Sequence, residues 1–422
     1  MRVAWFTHRY HPCLGGAEAY GRAMVRRFVA AGHAVDVFTS DALDLRYYTD
    51  RRHRRVDAPA LSIVDGARVR RLAVRHLPFQ RHVGRLLSYA PHWPTRCRSA
   101  SYMPIIPGLE SVRGDYDAVF GVGFPFTLFS FAALRTARAA DAPLILTPFL
   151  HLATPGDPVN RTYTRPHQVR LLAQADLVVS PTPGATEVVA GWGIPRNRLM
   201  TLPMAVEHAE VTGGDPQRLR ARLGLAPGGR LVGQLGALDP NKGTTDLIVA
   251  VDAMNREPRR SAPTTLVLAG SATPEFIAFL NAGGWRDRPW LRLLGPIPPA
   301  EVPDFYAALD VFAMPSRTDS FGIVYLEAWA NHKPVVAAAA GGVPEVVTHG
   351  RDGLLVPFGD VDALARALST LLDDPSTAAR LGAAGRALVE AGYTWDDRFA
   401  ALLDRVGRAI DDRRRGRHSA SA

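Results

Sequence analysis

Short, almost wholly apolar runs, each followed by a stretch of helical spacing or by a loop, recur from end to end of this chain. Few folds accommodate that pattern. Strands buried on both faces lose the polar alternation of an exposed sheet, and parallel neighbours need a crossover, usually a helix, to join them. The pattern therefore predicts an α/β class of parallel sheets with helices on both sides. In the first half the runs are Val3–Thr7, Val35–Thr39, Ala118–Gly121, Leu144–Thr147 and Leu177–Ser180, with a first helix over Ala17–Ala31. Polar, glycine-rich breaks at Thr212–Asp215 and Pro227–Gly229 precede a second series: Leu231–Leu235, Thr265–Ala269, Leu291–Leu294, Val311–Met314, Pro334–Ala338 and Leu354–Val356.

A chain of 422 residues exceeds one ordinary core. The expectation is two doubly wound Rossmann-like domains facing across a cleft at the carboxyl ends of their strands, where open α/β sheets bind ligands. The linker is placed near Pro203–Gly214, giving one domain over 1–207 and a second over 208–392. Helices over Asp360–Leu372, Ser376–Glu390 and Trp395–Ile410 follow, with residues 393–422 forming a helix that packs back on the first domain and a disordered basic tail, Arg413–Arg417.

The apolar share of 47% and charged share of 21% belong to a globular protein and exclude a disordered or fibrous one. Cys13 and Cys97 form neither a disulfide framework nor a zinc spacing, which suits a reducing compartment. Met1–Tyr10 opens directly on a strand-like run without the parts of a secretory signal, so a cytoplasmic location is expected. The uncharged stretch Ala118–Leu134 is broken by Gly121, Gly123 and Pro125, which marks a buried strand turning into a helix, not a membrane span.

The net charge of +10 is concentrated: Arg51–Arg98 holds twelve arginines against Asp57 and Asp65, a surplus equal to that of the whole chain. With apolar residues interspersed at Phe79–Leu87, this segment is expected to make peripheral contact with an anionic membrane at its inner face or with a phosphate-bearing acceptor. A solvated arginine-rich surface is the bland alternative. No zinc-finger or RNA-binding aromatic motif accompanies the charge, so a nucleic-acid partner is not expected.

The segment carrying the most chemistry is Pro315-Ser-Arg-Thr-Asp-Ser-Phe-Gly-Ile-Val-Tyr-Leu-Glu-Ala-Trp-Ala330, a strand end, a loop with an acid and a glycine, and a helix with a second acid. Gly322 lets backbone amides approach a ligand at a helix start, while Asp319 and Glu327 accept hydrogen bonds from hydroxyls, as a sugar phosphate requires. The structural alternative makes Asp319 a cap and leaves Glu327 on an exposed helix face. In this element the chain resembles the family-4 retaining glycosyltransferases of GT-B architecture, whose signature is two acids separated by seven positions around a Phe-Gly pair. The resemblance covers nearly the whole chain. It implies an acceptor-binding first domain and a nucleotide-sugar-binding second one, with Asp319, Phe321 and Gly322 facing the donor sugar, Ser320 and Ile323 beside them in the donor site, and Glu327 facing the ribose.

The resemblance extends to Gly236-Ala-Leu-Asp-Pro-Asn-Lys-Gly243, where the family grips a diphosphate with Arg and Lys. Gly236 and Lys242 match, whereas Ala237 stands where the arginine is expected. Gly15 and Gly16 offer bare amides at a helix N-terminus to a phosphate, in a loop that is neither a Walker loop nor a dinucleotide fingerprint. His151, just past the strand Leu144–Thr147, is expected near the reacting sugar, with His8 and His11 as rivals. Glu345 in the turn Gly341–Val347 is read as structural, and Glu207 fills a position that related enzymes give to aspartate.

The chemistry implied is transfer of a sugar from a nucleoside diphosphate carrier to an acceptor hydroxyl with retained configuration, in glycan, glycolipid or natural-product synthesis. No cofactor is expected, and no metal, since Lys242, backbone amides and helix N-termini can meet the leaving-group charge. Alternatives are a catalytically weakened sugar-nucleotide-binding protein of the same fold, an epimerase, or a phosphorylase with a lysine-bound pyridoxal phosphate.

Overall fold

A computed structural model describes residues 1–76, 105–154, 156–226, 228–257 and 263–420, with side chains to 415 in the last stretch. Cys97 and the apolar part of the basic segment, Phe79–Leu87, lie outside the described residues. The chain divides into two compact units, Met1–Leu150 with Gly156–Pro203 and Asp396–Ala422, and Met204–Trp395 with the loop that starts at His151.

Among the described residues the N-terminal unit is built on eight strands: β1 (Arg2–Thr7), β2 (Ala34–Ser40), β3 (Leu61–Val64), β4 (Ala67–Leu72), β5 (Ala118–Val122), β6 (Leu144–Thr147), β7 (Leu177–Ser180) and β8 (Leu199–Thr201), in the order β3-β4-β2-β1-β5-β6-β7-β8. All pairs are parallel except β3 with β4. Helices α1 (Gly16–Ala30), α2 (Thr127–Ala140) and α3 (Pro183–Gly191) follow β1, β5 and β7. The centre of the sheet is aromatic: Trp5 stacks on Phe120 and Phe6 on Phe38, each pair at 4.8 Å. Full burial of each such ring contributes about 2–3 kcal/mol.

The C-terminal unit has six strands, β9 (Leu231–Leu235), β10 (Thr265–Ala269), β11 (Leu291–Gly295), β12 (Val311–Met314), β13 (Val335–Ala338) and β14 (Gly353–Val356), all parallel in the order β11-β10-β9-β12-β13-β14. Its helices include α4 (His208–Val211), α5 (Thr244–Asn255), α6 (Val302–Ala308), α7 (Ile323–Ala330), α8 (Val361–Asp373) and α9 (Pro375–Gly392). Strands and helices join in one core around Leu247, Val251, Leu266, Val311, Leu368 and Leu381. The strand order reverses between β9 and β12, which opens a ligand crevice at their carboxyl ends.

The last helix, α10 (Trp395–Ala420), belongs to the N-terminal unit. The basic run Arg413–Arg417, expected to be disordered, lies within it. The physical reason is neutralisation at the strand starts: Arg413 pairs with Asp141 at 3.0 Å and Asp176 at 3.1 Å, and Arg414 reaches Asp117. Three strands also escape the sequence reading, β3, β4 and β8. Among the described residues no helix is long and apolar enough to cross a membrane.

Candidate active site

Past the end of β12 the chain crosses the crevice in a loop and enters α7 at Gly322, whose φ of +90° is the left-handed conformation glycine favours. A side chain there would strike the ring of Tyr325, which is fully buried and anchored by its hydroxyl to the Met314 carbonyl at 2.6 Å. This fixes the loop that carries Asp319. The Asp319 carboxylate lies 2.7 Å from Lys242 Nζ and accepts the Phe321 amide. Its carbonyl receives the Gly342 N–H at 2.9 Å.

Residues 151–154 are tied to the same loop. Thr318 Oγ1 donates to the Leu152 carbonyl at 3.1 Å. Gly341, with φ of +61°, fits between that carbonyl and the Asp319 backbone, where a Cβ would stand 2.8–2.9 Å from both. The glycine pair of the turn Gly341–Val347 thus acts as a strut holding two functional loops together.

The electrostatics follow from this enclosure. Burial disfavours charge on Asp319, but Lys242, then His151, and the hydrogen bonds hold its carboxyl below the usual range, so it is ionised. Burial lowers His151 to about 4, with Asp319 pulling it up and Lys242 pushing it further down. At neutral pH it is an uncharged imidazole beside a carboxylate and an ammonium, able to donate one hydrogen bond and accept another. The three residues expected to be catalytic therefore come together within the C-terminal unit.

Lys242 ends a turn after β9 in which Asp239 Oδ1 accepts the Asn241 amide at 2.7 Å. At Ala237 there is no cation, but Arg317 of the facing loop donates its main-chain N–H to the Asn241 carbonyl at 2.8 Å, bringing a second basic residue to this turn. Gly236 donates its amide to the Ala269 carbonyl, so that amide is committed to the fold. Ser320 and Ile323 flank the Phe-Gly pair and are half-buried, whereas the Phe321 ring turns inward onto Tyr393.

Glu327 is not on an exposed face. It accepts a 2.6 Å hydrogen bond from the hydroxyl of Tyr306, a residue on α6 that the sequence reading passed over. Burial raises its carboxyl, Tyr306 offsets part of that, and Glu210 adds to it.

In the N-terminal unit Gly15 caps α1, but the anion at this helix start is the chain's own. Glu18 folds back so that a Cβ on Gly15 would collide with its carboxylate, and it pairs with Arg9 at 2.6 Å. His8, 3.7 Å from Glu18, is driven by burial to about 4 and stacks on Phe126. His8 and His11 belong to this unit. Among the described residues no group of His, Cys, Asp and Glu side chains is assembled as a metal site.

Comparison with known proteins agrees with the two-unit α/β fold. Residues 229–374 match the family described as "Glycosyl transferases group 1", and residues 15–205 match "Glycosyl transferase 4-like domain". The D-inositol 3-phosphate glycosyltransferase of Nocardia farcinica is 32% identical over 294 residues, 67% of this chain and 61% of that one. The chain thus spans less than two thirds of that relative's length in the match. The protein of the same name from Acidothermus cellulolyticus is 29% identical over 95% of this chain and 87% of its own. Among solved structures, sucrose-phosphate synthase from Thermosynechococcus elongatus superposes with a TM-score of 0.73 at 22% identity, covering 97% of this chain and 99% of that one.

Proposed function

Because the chain belongs to the family-4, group 1 glycosyltransferases and has their GT-B fold, we propose that it transfers a glycosyl group from a nucleoside diphosphate sugar to an acceptor hydroxyl, with retention of configuration. The observation that carries this reading is the gathering of Lys242, Asp319 and His151 at the β9/β12 crevice. As the bond from the anomeric carbon to the diphosphate breaks, its electron pair moves onto a phosphate oxygen. Lys242, leaving Asp319 for that oxygen, stabilises the growing charge. The acceptor oxygen bonds to the anomeric carbon from the same face, and its proton goes to the departing diphosphate. His151, uncharged, holds a sugar hydroxyl, and Glu327 holds the ribose. No step calls on a cofactor.

Calorimetric titration with UDP-, GDP-, TDP- and ADP-sugars tests the reading, on the native chain and on Glu327→Ala. One nucleotide is expected to bind, with affinity falling at least tenfold in the variant, since hydrogen bonds to a charged group contribute about 1.5–3 kcal/mol. Binding of none would overturn the donor site, and interconversion of the donor without acceptor would replace transfer by epimerisation. If the missing arginine marks a weakened binding protein, Ala237→Arg will not raise turnover.

The acceptor is a glycan, a lipid-linked molecule or a small molecule, and a cytoplasmic protein touching the inner face of a membrane suits the second. One surface supports that contact. On the outer face of the β3–β4 hairpin, Leu61 and Ile63 are 60% and 68% exposed and stand opposite Arg70 and Arg68. Arg68 is held by Asp36, while Arg70 is exposed. Two aliphatic side chains entering a lipid interface contribute on the order of 3 kcal/mol. The protein should float with vesicles containing anionic lipid at low salt and detach as salt rises, and Leu61→Ser with Ile63→Ser should release it. Failure to float at low salt points to a soluble acceptor.

A further inference from the structure

Glu327 is a carboxylate that could rotate freely if it stood on a solvated helix face, and the structure withholds that freedom. Its Oε2 takes the Tyr306 hydroxyl at 2.6 Å. The Tyr306 ring cannot follow a moving partner: it is fully buried, with Phe305 and Phe312 each 5.6 Å away. The helix beneath it is held from several sides. Asp304 accepts the Asp215 amide and the Arg218 guanidinium, both at 2.7 Å. Lys333 donates to the Ala307 carbonyl at 2.8 Å. The backbone of Glu327 is fixed as well, because Asn331 Nδ2 bridges its carbonyl and that of Val211, each at 2.9 Å.

We propose that Tyr306 is a positioning residue that locks the Glu327 carboxylate with Oε1 turned to the ribose hydroxyls of the donor, and thereby sets a preference for ribonucleotides over 2′-deoxyribonucleotides. This rests on the donor-site reading above. A carboxylate whose second oxygen is held by a buried phenol presents its lone pairs in one direction, so a missing ribose hydroxyl leaves an acceptor unmatched and affinity is lost. Without the phenol the carboxylate can turn to water, and the two nucleotides become alike.

The ionisable groups acting on Glu327 are Tyr306 from α6 and Glu210 from α4. Arg386 of α9 is engaged by the Ala330 carbonyl and Glu390, and Lys333 by Ala307. Of these, Tyr306 favours the ionised form, whereas Glu210 opposes it together with burial. Loss of the phenol therefore moves the acid limb of nucleotide binding to higher pH.

The experiment is calorimetry between pH 5 and 8 on the native chain, Tyr306→Phe and Glu327→Gln. The probes are the nucleoside diphosphate that the native protein binds and its 2′-deoxy form. The native protein should prefer the ribonucleotide about tenfold. Tyr306→Phe keeps the ring and its packing. It should weaken the ribonucleotide several-fold, leave the deoxy form unchanged and shift the acid limb upward. Glu327→Gln, whose amide still accepts from Tyr306, should lose the preference without an acid limb. A Tyr306→Phe protein that keeps the native preference and pH profile overturns the positioning role while leaving the donor site standing. A native protein that binds no nucleoside diphosphate overturns both.

Discussion

Lys242→Met will lower transfer by about a hundred- to a thousandfold, the scale on which removal of a group facing the leaving charge is felt, and it will also destabilise the protein. The second effect follows from Asp319. Its side chain is 11% exposed, and Lys242, 23% exposed, stands 2.7 Å away. Breaking a buried pair from one side costs about 3–5 kcal/mol, and the partial exposure of the lysine reduces this to about 2–3 kcal/mol. For a unit of this size that is a fall in Tm on the order of 5–10 °C. The double variant Lys242→Met with Asp319→Asn removes the stranded charge, so it should recover most of the lost stability and none of the activity. An unchanged Tm in the single variant would mean that the pair is open to water, and full activity would remove Lys242 from the chemistry.

Acid will unfold this protein early, and two histidines are the reason. His8 and His151 are each held by burial near 4, against 6.5 in an open chain. Below pH 6.5 the unfolded chain binds protons that the folded chain refuses, so stability falls as pH drops from about 6.5 to about 4. For His8, the more deeply buried, the full loss is about 3 kcal/mol. That is a large part of the 5–15 kcal/mol typical of a whole domain. Asp319 acts in another window: its carboxyl is lowered, so its contribution is full above the ordinary carboxylate pKa and is lost as pH falls from there through the lowered one. Urea midpoints at pH 7.5, 6.0 and 5.0 should decline steadily in the native chain and less steeply in His8→Gln. Equal slopes in the two proteins would show that His8 is protonated in the fold.

Much of this was legible in the residues, and the exceptions have physical causes. The strands of the C-terminal sheet fall within one residue of their apolar runs, because a strand covered on both faces has no polar position to blur its ends. β4 reads Ala-Arg-Val-Arg-Arg-Leu and is hidden by its arginines, two of which are exposed on a strand one in from the sheet edge. β8, Leu199–Thr201, is too short to show a period. Asp319, Gly322 and Lys242 could be singled out because their motifs resemble the family's, whereas their loop chemistry alone reads equally as a cap and a turn. Tyr306 leaves none: it lies 21 residues before Glu327, and only the packing of α6 against its neighbours brings the phenol to the carboxylate. The Gly15–Gly16 loop shows the opposite limit, since a glycine pair before a helix reveals an open N-terminus but not the folded-back Glu18 that meets it.

The path of the chain has a consequence for how the protein is made and tagged. Helix α10 seats Phe399 edge-on against Phe28 at 4.9 Å, pairs Asp396 with Arg27, and buries Leu402, Val406 and Ile410 in a unit whose other strands and helices end at Pro203. A ribosome must therefore make about half the chain again after Pro203 before the first-made unit can close its surface, and until then Phe28 waits without its partner. Truncation before Asp396 will be felt first as aggregation of the unit at the other end of the gene.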